Sequence, residues 1–422
     1  MARTYSGVAM RTPYVVMAVL AAALYALWAL TDSGAGSQPA AAPAPPLRVA
    51  PIPVIAHRVE AIRGLRFKQL PEPVTVSAAQ ARDEGLADFD RSTPPEIQRT
   101  SEEVLKLLGL IEPSVSLRSV NETTFSQGVA GYYDPRTKRL RIVRGTATGT
   151  RVVNEMVLAH ELDHALEDQR FGLSSAGEER SDDGSLARLA LVEGSATALM
   201  YRYVQRTFSS EETLASLLGS AFAAGSGSLP PFLESMLVWP YTGGRAFVED
   251  LLRRAGGRWD LVNLADKIKP PVSTEQVMHP EKYLRAEPPK RVRLRIGPIV
   301  GRSYRRTAAG RSGELQTREM LATAGGSGAG AAAAGWGGDR YELWEPRQQT
   351  GCLAPCRSKD VLVMRWVWDT PRDVREFVPA LRLFAHGLKS PGVAVAVRRG
   401  AVTLALAPRA GLARKLASSP GG

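Results

Sequence analysis

The chain has 422 residues, which is enough for one large or two ordinary domains with a substantial buried core. Lysine and arginine number 54 against 42 aspartate and glutamate, so the formal net charge is +12 and anionic partners are favoured in general. The sequence shows no arginine-rich helix with interleaved aromatic residues. We therefore interpret the charge as a general surface property and predict no nucleic-acid partner.

The N-terminal segment predicts export across a membrane. Residues 1–12 are short and positive, with Arg3 and Arg11, and are expected to stay in the cytoplasm. Residues 13–30 are uncharged, apolar and just long enough to span a bilayer, so they predict a transmembrane signal anchor. The alternative is a signal peptide cleaved near Ser33-Gly34-Ala35, which would release a secreted protein. In both cases the rest of the chain is expected outside the cytoplasm.

Composition divides the rest of the chain into four parts. Residues 31–56 are rich in Pro and Ala and predict an extended linker. Residues 57–320 are expected to form the main domain. A Gly/Ala-rich stretch at 321–335 predicts a second linker or a loosely packed helix, and residues 336–422 predict a small α+β module without chemistry of its own.

The first part of the main domain predicts a helix followed by a sheet. Residues 92–110 begin with a Pro pair and end at a Gly, as a helix does. Residues 116–125 and 129–144 are expected to be strands, the second broken by a turn at 134–137. This hairpin precedes the most informative motif of the chain. It is expected either to bind a peptide as an added strand or simply to pack on the core.

The motif is His160-Glu161-Leu162-Asp163-His164, on a helix predicted over about 151–169. Residues four apart lie on one helix face, so the two imidazoles can reach one metal ion. Glu161 stands beside them, near a metal-bound water but not on the metal, as zinc hydrolysis requires. The alternative is a solvated helix face that carries two histidines, but the apolar residues that continue this face argue against it.

Glu193 is the predicted third ligand. It lies in the middle of an apolar stripe on a helix that begins near Ser181, where a bare carboxylate would be costly and metal coordination would remove the cost. Alternatively, Glu193 pairs with an arginine such as Arg188. Glu167, on the first helix, is about 10 Å of helical rise from His160 and too distant to share one ion easily. Asp168 is a candidate for orienting a ligand histidine.

A hydrolase of this type also needs a hydrogen-bond donor for the oxyanion that develops at the attacked carbonyl. His279 is our candidate, with Tyr241 and Tyr283 as alternatives. His279-Pro280 is equally consistent with a helix start that only caps or packs.

The C-terminal third alternates strands and helices. A strand is predicted at 290–297, a helix at 313–324, strands at 341–345 and 361–368, a helix at 371–386, and a final hairpin about Arg399-Gly400. Cys352 and Cys356 are the two cysteines. A disulfide is favoured for an exported domain, with free thiols as the alternative.

Five sequence motifs resemble a known family. They read HELDHALEDQ at 160–169, ALVEGSAT at 190–197, GYYDPRTKRL at 131–140, STEQVMHPEKY at 273–283 and GWGGDRY at 335–341. HExxH followed by a Glu on a second helix resembles the gluzincin zinc metallopeptidases. The sequences of these motifs are similar to those of bacterial membrane-tethered or exported proteins assigned as metallopeptidases. The resemblance extends from about residue 95 to the C-terminus.

The resemblance implies a zinc ion on His160, His164 and Glu193, with Glu161 as general base. One departure is Ser195, where an acidic residue is expected after Glu193-Gly194. This departure leaves open which residue would orient the histidines.

The sequence therefore predicts an α+β fold: a zincin-like, mainly helical catalytic domain with an edge β-sheet, a small C-terminal α+β module and an N-terminal transmembrane helix. The predicted function is a membrane-anchored zinc metallopeptidase that acts on a peptide or protein substrate. The alternatives are a catalytically inactive cell-envelope binding or scaffold protein and a zinc amidase that acts on a wall polymer. The sequence makes no prediction of oligomeric state.

Overall fold

The computed structural model describes residues 49–126, 131–144, 150–173, 181–210, 212–213, 229–325, 328–348 and 351–420. They form a mixed helical and sheet structure with one extended hydrophobic core.

The first half is helical, with a small sheet. Its elements are α1 (Ile52–Arg63), β1 (Pro73–Val76), α2 (Ala78–Ser92), α3 (Pro95–Leu107), α4 (Leu117–Ser126), β2 (Gly131–Asp134), β3 (Arg139–Val143), α5 (Arg151–Phe171) and α6 (Asp182–Thr207). The sheet order is β1-β3-β2. Strand β1 is parallel to β3 and β2 is antiparallel to it, so β2 lies at an edge.

The second half adds helices and a larger sheet. Its elements are α7 (Pro231–Arg254), α8 (Asp260–Ile268), α9 (Thr274–Met278), α10 (Pro280–Leu284), α11 (Gly297–Val300), β4 (Tyr304–Gly310), α12 (Gly313–Ala322), α13 (Ala329–Ala333), β5 (Trp336–Pro346), β6 (Val361–Trp368), α14 (Pro371–His386), β7 (Gly392–Arg398), β8 (Ala401–Ala407) and α15 (Ala410–Ala417). The antiparallel sheet order is β4-β5-β6-β8-β7.

Hydroxyl side chains fix where the two central helices begin. The side chain of Thr150 accepts a hydrogen bond from Val153 N at the start of α5. Ser181 caps α6 in the same way, and two aspartates follow in its first turn. These caps satisfy backbone donors, and the acidic first turn of α6 is favourable at the positive end of the helix dipole.

Two glycines bring α6 and α7 into backbone contact. A Cβ on Gly194 would collide with the backbone of Gly244, and a Cβ on Gly244 would collide with the backbone of Ala190. Without side chains at these positions, the helix backbones touch and the residues one turn away meet across the contact. This crossing places Tyr241 of α7 beside Glu193 of α6.

Buried hydrogen bonds dock the larger sheet against the start of α6. Asp183 Oδ1 accepts from the backbone N and Oγ1 of Thr274, at 2.8 and 2.6 Å. Asp339 accepts from the backbone N of Ser312 and of Gly313, both at 2.8 Å. Thr274 of the motif at 273–283 thus ties the second half of the structure to α6. Tyr341 of the motif at 335–341 does the same, because its Oη donates to Asp182 Oδ2 at 2.7 Å.

The fold-class prediction needs a correction concerning the membrane. Nowhere in the described residues is there a helix of the length and hydropathy needed to cross a bilayer. The predicted anchor at 13–30 lies outside the described residues. The predicted transmembrane helix and single-pass topology are therefore unsupported, and the fold is a mixed helix and sheet structure.

Several predicted elements differ from the structure. Residues 117–126 form helix α4 and not a strand, and residues 290–296 belong to neither a helix nor a strand. Helix α1 begins at Ile52, inside the predicted linker 31–56, and α13 lies inside the predicted linker 321–335. The hairpin β2–β3, helix α14 and the terminal hairpin form where they were predicted.

Candidate metal centre

Three predicted ligands converge at one buried point. His160 Nε2 lies 3.0 Å from His164 Nε2 and 3.2 Å from Glu193 Oε2, and the third distance, from His164 Nε2 to Glu193 Oε2, is 3.5 Å. Ligand atoms about 2.0–2.1 Å from a tetrahedral zinc ion are separated by about 3.3 Å. The ligand cluster, as we call these three residues, therefore has the dimensions of one face of a zinc tetrahedron.

The ligand cluster is charged and shielded from water. Burial opposes ionisation of Glu193, but the adjacent His164 and His160 outweigh it and lower the pKa of Glu193 to about 2. Burial likewise opposes protonation of His164, yet the Glu193 carboxylate raises the pKa of His164 to about 10. In the absence of a metal, the carboxylate thus favours a proton on His164, which a bound cation would displace.

Arg188 is not the partner of Glu193. Its Nη1 donates to the backbone O of Asp266 at 3.1 Å and lies 3.9 Å from Asp266 Oδ1. The two ligand histidines are the residues that contact Glu193 Oε2 in the described chain. The arginine-pair alternative for Glu193 is therefore not what the structure shows.

Glu161 is held by the edge strand of the small sheet. Its Oε2 accepts a hydrogen bond from the backbone N of Tyr133, in β2, at 2.8 Å. Burial raises the pKa of Glu161, although both histidines and this hydrogen bond act in the opposite direction. A carboxylate with a raised pKa is a better proton acceptor, as a general base must be.

Asp168, a candidate for orienting a ligand histidine or else a solvent-facing residue, instead contacts β2. Its Oδ2 accepts from Tyr133 Oη and from Lys138 Nζ, both at 2.7 Å, and its Oδ1 accepts from Leu173 N at 3.0 Å. Tyr133 is therefore fixed at both ends, through its backbone to Glu161 and through its side chain to Asp168. The motif around 131–140 thus positions the proposed base.

The imidazole Nδ1 atoms lack an acceptor. In the described part of the chain, neither His160 Nδ1 nor His164 Nδ1 has a hydrogen-bond partner, and neither does the buried Ser195 Oγ. An acidic residue is expected at position 195 from the family resemblance. Its absence accords with histidines that no carboxylate orients through Nδ1.

The three candidates for oxyanion donor lie in different places. Tyr241 is 2% exposed, its ring stacks on His160 at 6.1 Å between centroids, and its Oη forms no hydrogen bond of good geometry within the described residues. Burial and then the nearby Glu193 carboxylate raise its pKa. His279 Nε2 instead contacts Glu314 Oε1 at 3.0 Å, and Tyr283 Oη donates to Lys269 O. Of the three, Tyr241 is the one in contact with the ligand cluster.

A second cluster of ionisable residues includes two further carboxylates of helix α5. Arg63, from α1, is 1% exposed and contacts Asp163 at 3.1 Å, Asp266 at 3.3 Å, and Glu167. Its guanidinium also lies 4.1 Å from the ring centroid of Trp259. We call Arg63, Asp163, Glu167 and Asp266 the arginine cluster. No local sequence signal predicted it, because the arginine and its partners are separated by a hundred residues or more.

Comparisons with known proteins add one partial match. The model of a family described as a domain of unknown function, DUF8575, matches residues 302–410, which is less than half of the chain. The matched segment runs from β4 to α15 and contains none of the ligand cluster. No curated protein and no solved structure matches the chain significantly.

Proposed function

We propose that this protein is a zinc-dependent metallopeptidase. The observation that carries the proposal is the convergence of His160, His164 and Glu193 at tetrahedral spacing, with Glu161 adjacent in sequence and buried beside them. Two nitrogens and one carboxylate oxygen are a ligand set that zinc hydrolases use, with the fourth position left to water or substrate. When bound there, zinc would supply Lewis acidity that acidifies a water ligand and polarises a carbonyl.

Glu161 has the proton-transfer role in this proposal. Its carboxylate accepts the proton of the attacking water and returns it to the nitrogen of the leaving amine. The hydrogen bond from Tyr133 N to Oε2 keeps the carboxylate oriented through both transfers. The raised pKa of Glu161 supports this assignment, since it makes the carboxylate a better proton acceptor.

Tyr241 is the proposed oxyanion donor, in place of His279. This buried phenol lies beside Glu193 and stacks on a ligand histidine, a position from which it can donate to developing negative charge. Its raised pKa keeps the hydroxyl proton in place at neutral pH. The contact of His279 with Glu314 supports a structural role for that histidine.

The proposed substrate is a peptide in extended conformation. Strand β2 has β3 on one side and no other strand neighbour in the described sheet, and it contacts Glu161 directly. A peptide added along this edge would place its backbone next to the base. The disulfide between Cys352 and Cys356 supports a compartment outside the reducing cytoplasm.

The test combines metal content with hydrolysis. We expect near-stoichiometric zinc in the full-length protein by elemental mass spectrometry and cleavage of a quenched fluorescent peptide library. Glu161→Gln should retain zinc and lose about 10²–10⁴-fold in rate. Glu193→Gln should lose zinc with its circular dichroism unchanged, whereas Glu249→Gln, on the partly exposed side of α7, should behave as wild type.

The alternatives give different results in the same experiment. A binding or scaffold protein would keep its zinc and ligand affinity but show no cleavage that depends on Glu161. A zinc amidase would leave peptides intact and release amide-linked groups from a wall polymer in a manner sensitive to Glu161→Gln. A well-folded wild-type protein that takes up no zinc would refute the metallopeptidase proposal.

A further inference from the structure

A second candidate site is a cavity of about 110 Å³ between the helical half and the larger sheet. Helices α3, α4, α6, α7 and α12 and strands β5 and β6 all contribute to its walls. Much of the lining is apolar, and includes Leu108, Leu117, Phe232, Met236, Met320 and Met364. One water needs only about 10–15 Å³ of such space, so the cavity has room for a small organic molecule.

Two buried polar atoms in the wall lack partners. Asp182, 5% exposed, accepts a hydrogen bond from Tyr341 Oη on Oδ2 at 2.7 Å, but its Oδ1 has no partner within the described residues. Asn121, 2% exposed, donates to Leu117 O at 2.8 Å, and its Oδ1 is likewise unpaired in the described part of the chain. Buried polar atoms without partners are costly, so each marks a place where a ligand group would be favoured.

The two atoms differ in what they can offer. Burial is the main cause that raises the pKa of Asp182 to about 8, so at neutral pH this residue is mainly an uncharged acid with a hydrogen to donate. Asn121 Oδ1 can only accept. A hydroxyl group is suited to either position because it both donates and accepts a hydrogen bond.

The lining also disfavours anionic ligands. Among the residues that line the cavity there is no lysine, arginine or histidine, so a carboxylate or phosphate would be buried without a counter-charge. The apolar side chains contact hydrocarbon favourably, in a pocket with few polar groups, as small-molecule sites generally are.

We propose that this cavity binds a small, uncharged, apolar molecule that carries a hydroxyl group, with Asn121 and Asp182 as its hydrogen-bonding partners. The proposal does not depend on the metallopeptidase assignment. About 16 Å of helix α6 separates Asp182 from Glu193, and no residue of the ligand cluster lines the cavity. The residues that line it come partly from the segment matched by the family model and partly from outside it.

The experiment compares hexan-1-ol with hexanoate, which have hydrocarbon chains of similar length. Binding to the full-length protein is measured at pH 7 by saturation-transfer NMR titration. We expect saturable binding of hexan-1-ol that is at least about tenfold tighter than that of hexanoate, since the acid would leave a buried charge unpaired.

Two variants test the location of the site. Val120→Phe places a larger side chain in the cavity wall and should weaken hexan-1-ol binding at least about tenfold, whereas Val54→Phe, at an exposed position on α1, should not. Asn121→Leu keeps the side-chain volume and removes the hydrogen-bond acceptor. It should therefore weaken hexan-1-ol binding and reduce the ratio of the hexanoate to the hexan-1-ol dissociation constant.

Circular dichroism and thermal denaturation show whether each variant is folded. If Val120→Phe does not fold, the binding of both molecules to Asn121→Leu tests the location of the site. The proposal is overturned if hexan-1-ol shows no saturable binding, if hexanoate binds as tightly, or if the folded variants bind both molecules as wild type does. Because the readout is ligand binding, a failure of peptide hydrolysis would not affect it.

Discussion

The ligand cluster and the arginine cluster are two solutions to the same electrostatic problem on one helix. Helix α5 carries His160 and His164 in the first and Asp163 and Glu167 in the second, all buried. In the arginine cluster the chain supplies its own cation, because Arg63 of α1 lies among three carboxylates. In the ligand cluster the described chain contributes imidazoles and a carboxylate but no arginine or lysine. This difference supports our proposal that the ligand cluster takes up a cation from outside the chain.

The most disruptive test of this comparison is to remove the internal cation. Arg63→Met leaves three buried carboxylates without their main partner and is expected to lower the free energy of unfolding by about 3–5 kcal/mol. Arg66→Met is the matched control, because Arg66 forms an exposed pair with Glu60 and should contribute at most about 1 kcal/mol. Urea denaturation of both variants measures the difference. Equal decreases in the free energy of unfolding would mean that Arg63 stabilises the fold no more than an exposed arginine does.

The next test concerns the donor at the ligand cluster. Tyr241→Phe is expected to lower kcat by about 10²–10³-fold with zinc content unchanged, because one donor to the oxyanion is removed. His279→Gln and Tyr283→Phe, at the other two candidate positions, should leave kcat within about tenfold of wild type. Steady-state kinetics on a cleaved peptide provides the measurement. A larger effect from His279→Gln than from Tyr241→Phe would return the donor role to His279.

The stability of the zinc-free protein and the stabilisation that zinc adds should respond oppositely to pH. Burial raises the pKa of Asp266 to about 6, and it also raises the pKa values of Glu275, to about 7, and Asp182, to about 8. Each raised acid binds a proton more tightly when folded, so the associated stability is lost as pH rises through these values. Zinc-free protein should therefore become more stable as the pH falls from 8 to 5.5.

The stabilisation that zinc provides should fall over the same interval. Protons compete with the metal for the histidines, so the extra unfolding free energy measured with zinc decreases as pH is lowered. Thermal denaturation with zinc and with a chelator, at matched pH values, measures how stability depends on pH in each case. The same dependence of stability on pH with and without zinc would contradict a metal-binding role for the ligand cluster.

The smallest predicted effect concerns the strand that holds the base. Tyr133→Phe removes the hydrogen bond to Asp168 and is expected to cost about 1 kcal/mol of stability and less than about tenfold in kcat. Tyr132→Phe is the control, because Tyr132 Oη donates to Glu84 at 2.6 Å from the neighbouring position on the same strand. Only Tyr133→Phe should shift the acidic limb of the pH profile of kcat. Identical profiles for the two variants would show that Tyr133 does not position Glu161.

Local geometry explains which parts of the site could be predicted. The histidines of HExxH share a helix face whatever surrounds them, and Glu193 was identified from the apolar stripe that it interrupts. The terminal hairpin was also predictable, because Arg399 and Gly400 take positive φ, as a tight two-residue turn requires. In each case the signal lies within a few residues.

The incorrect predictions depend on distant partners. Alternating Arg and apolar residues at 290–296 correctly indicate one buried and one exposed side, but this pattern reports burial and not pairing with another strand. Residues 117–126 have β-branched and polar side chains, yet they form α4, whose Leu117 joins the main core. Arg63 meets its partners only after the chain has folded, so no spacing in the sequence reveals it.

The proposed catalytic geometry depends on the contact between Gly194 and Gly244, where each residue has a hydrogen atom in place of a side chain. Metal–ligand distances tolerate errors of about 0.2 Å. Either glycine, if given a methyl group, would force α6 and α7 apart by far more than this. Such a change would separate Tyr241 from Glu193 without altering either residue. A variant at either glycine is thus expected to lose activity as an active-site variant would, although neither glycine has a side chain that takes part in the proposed chemistry.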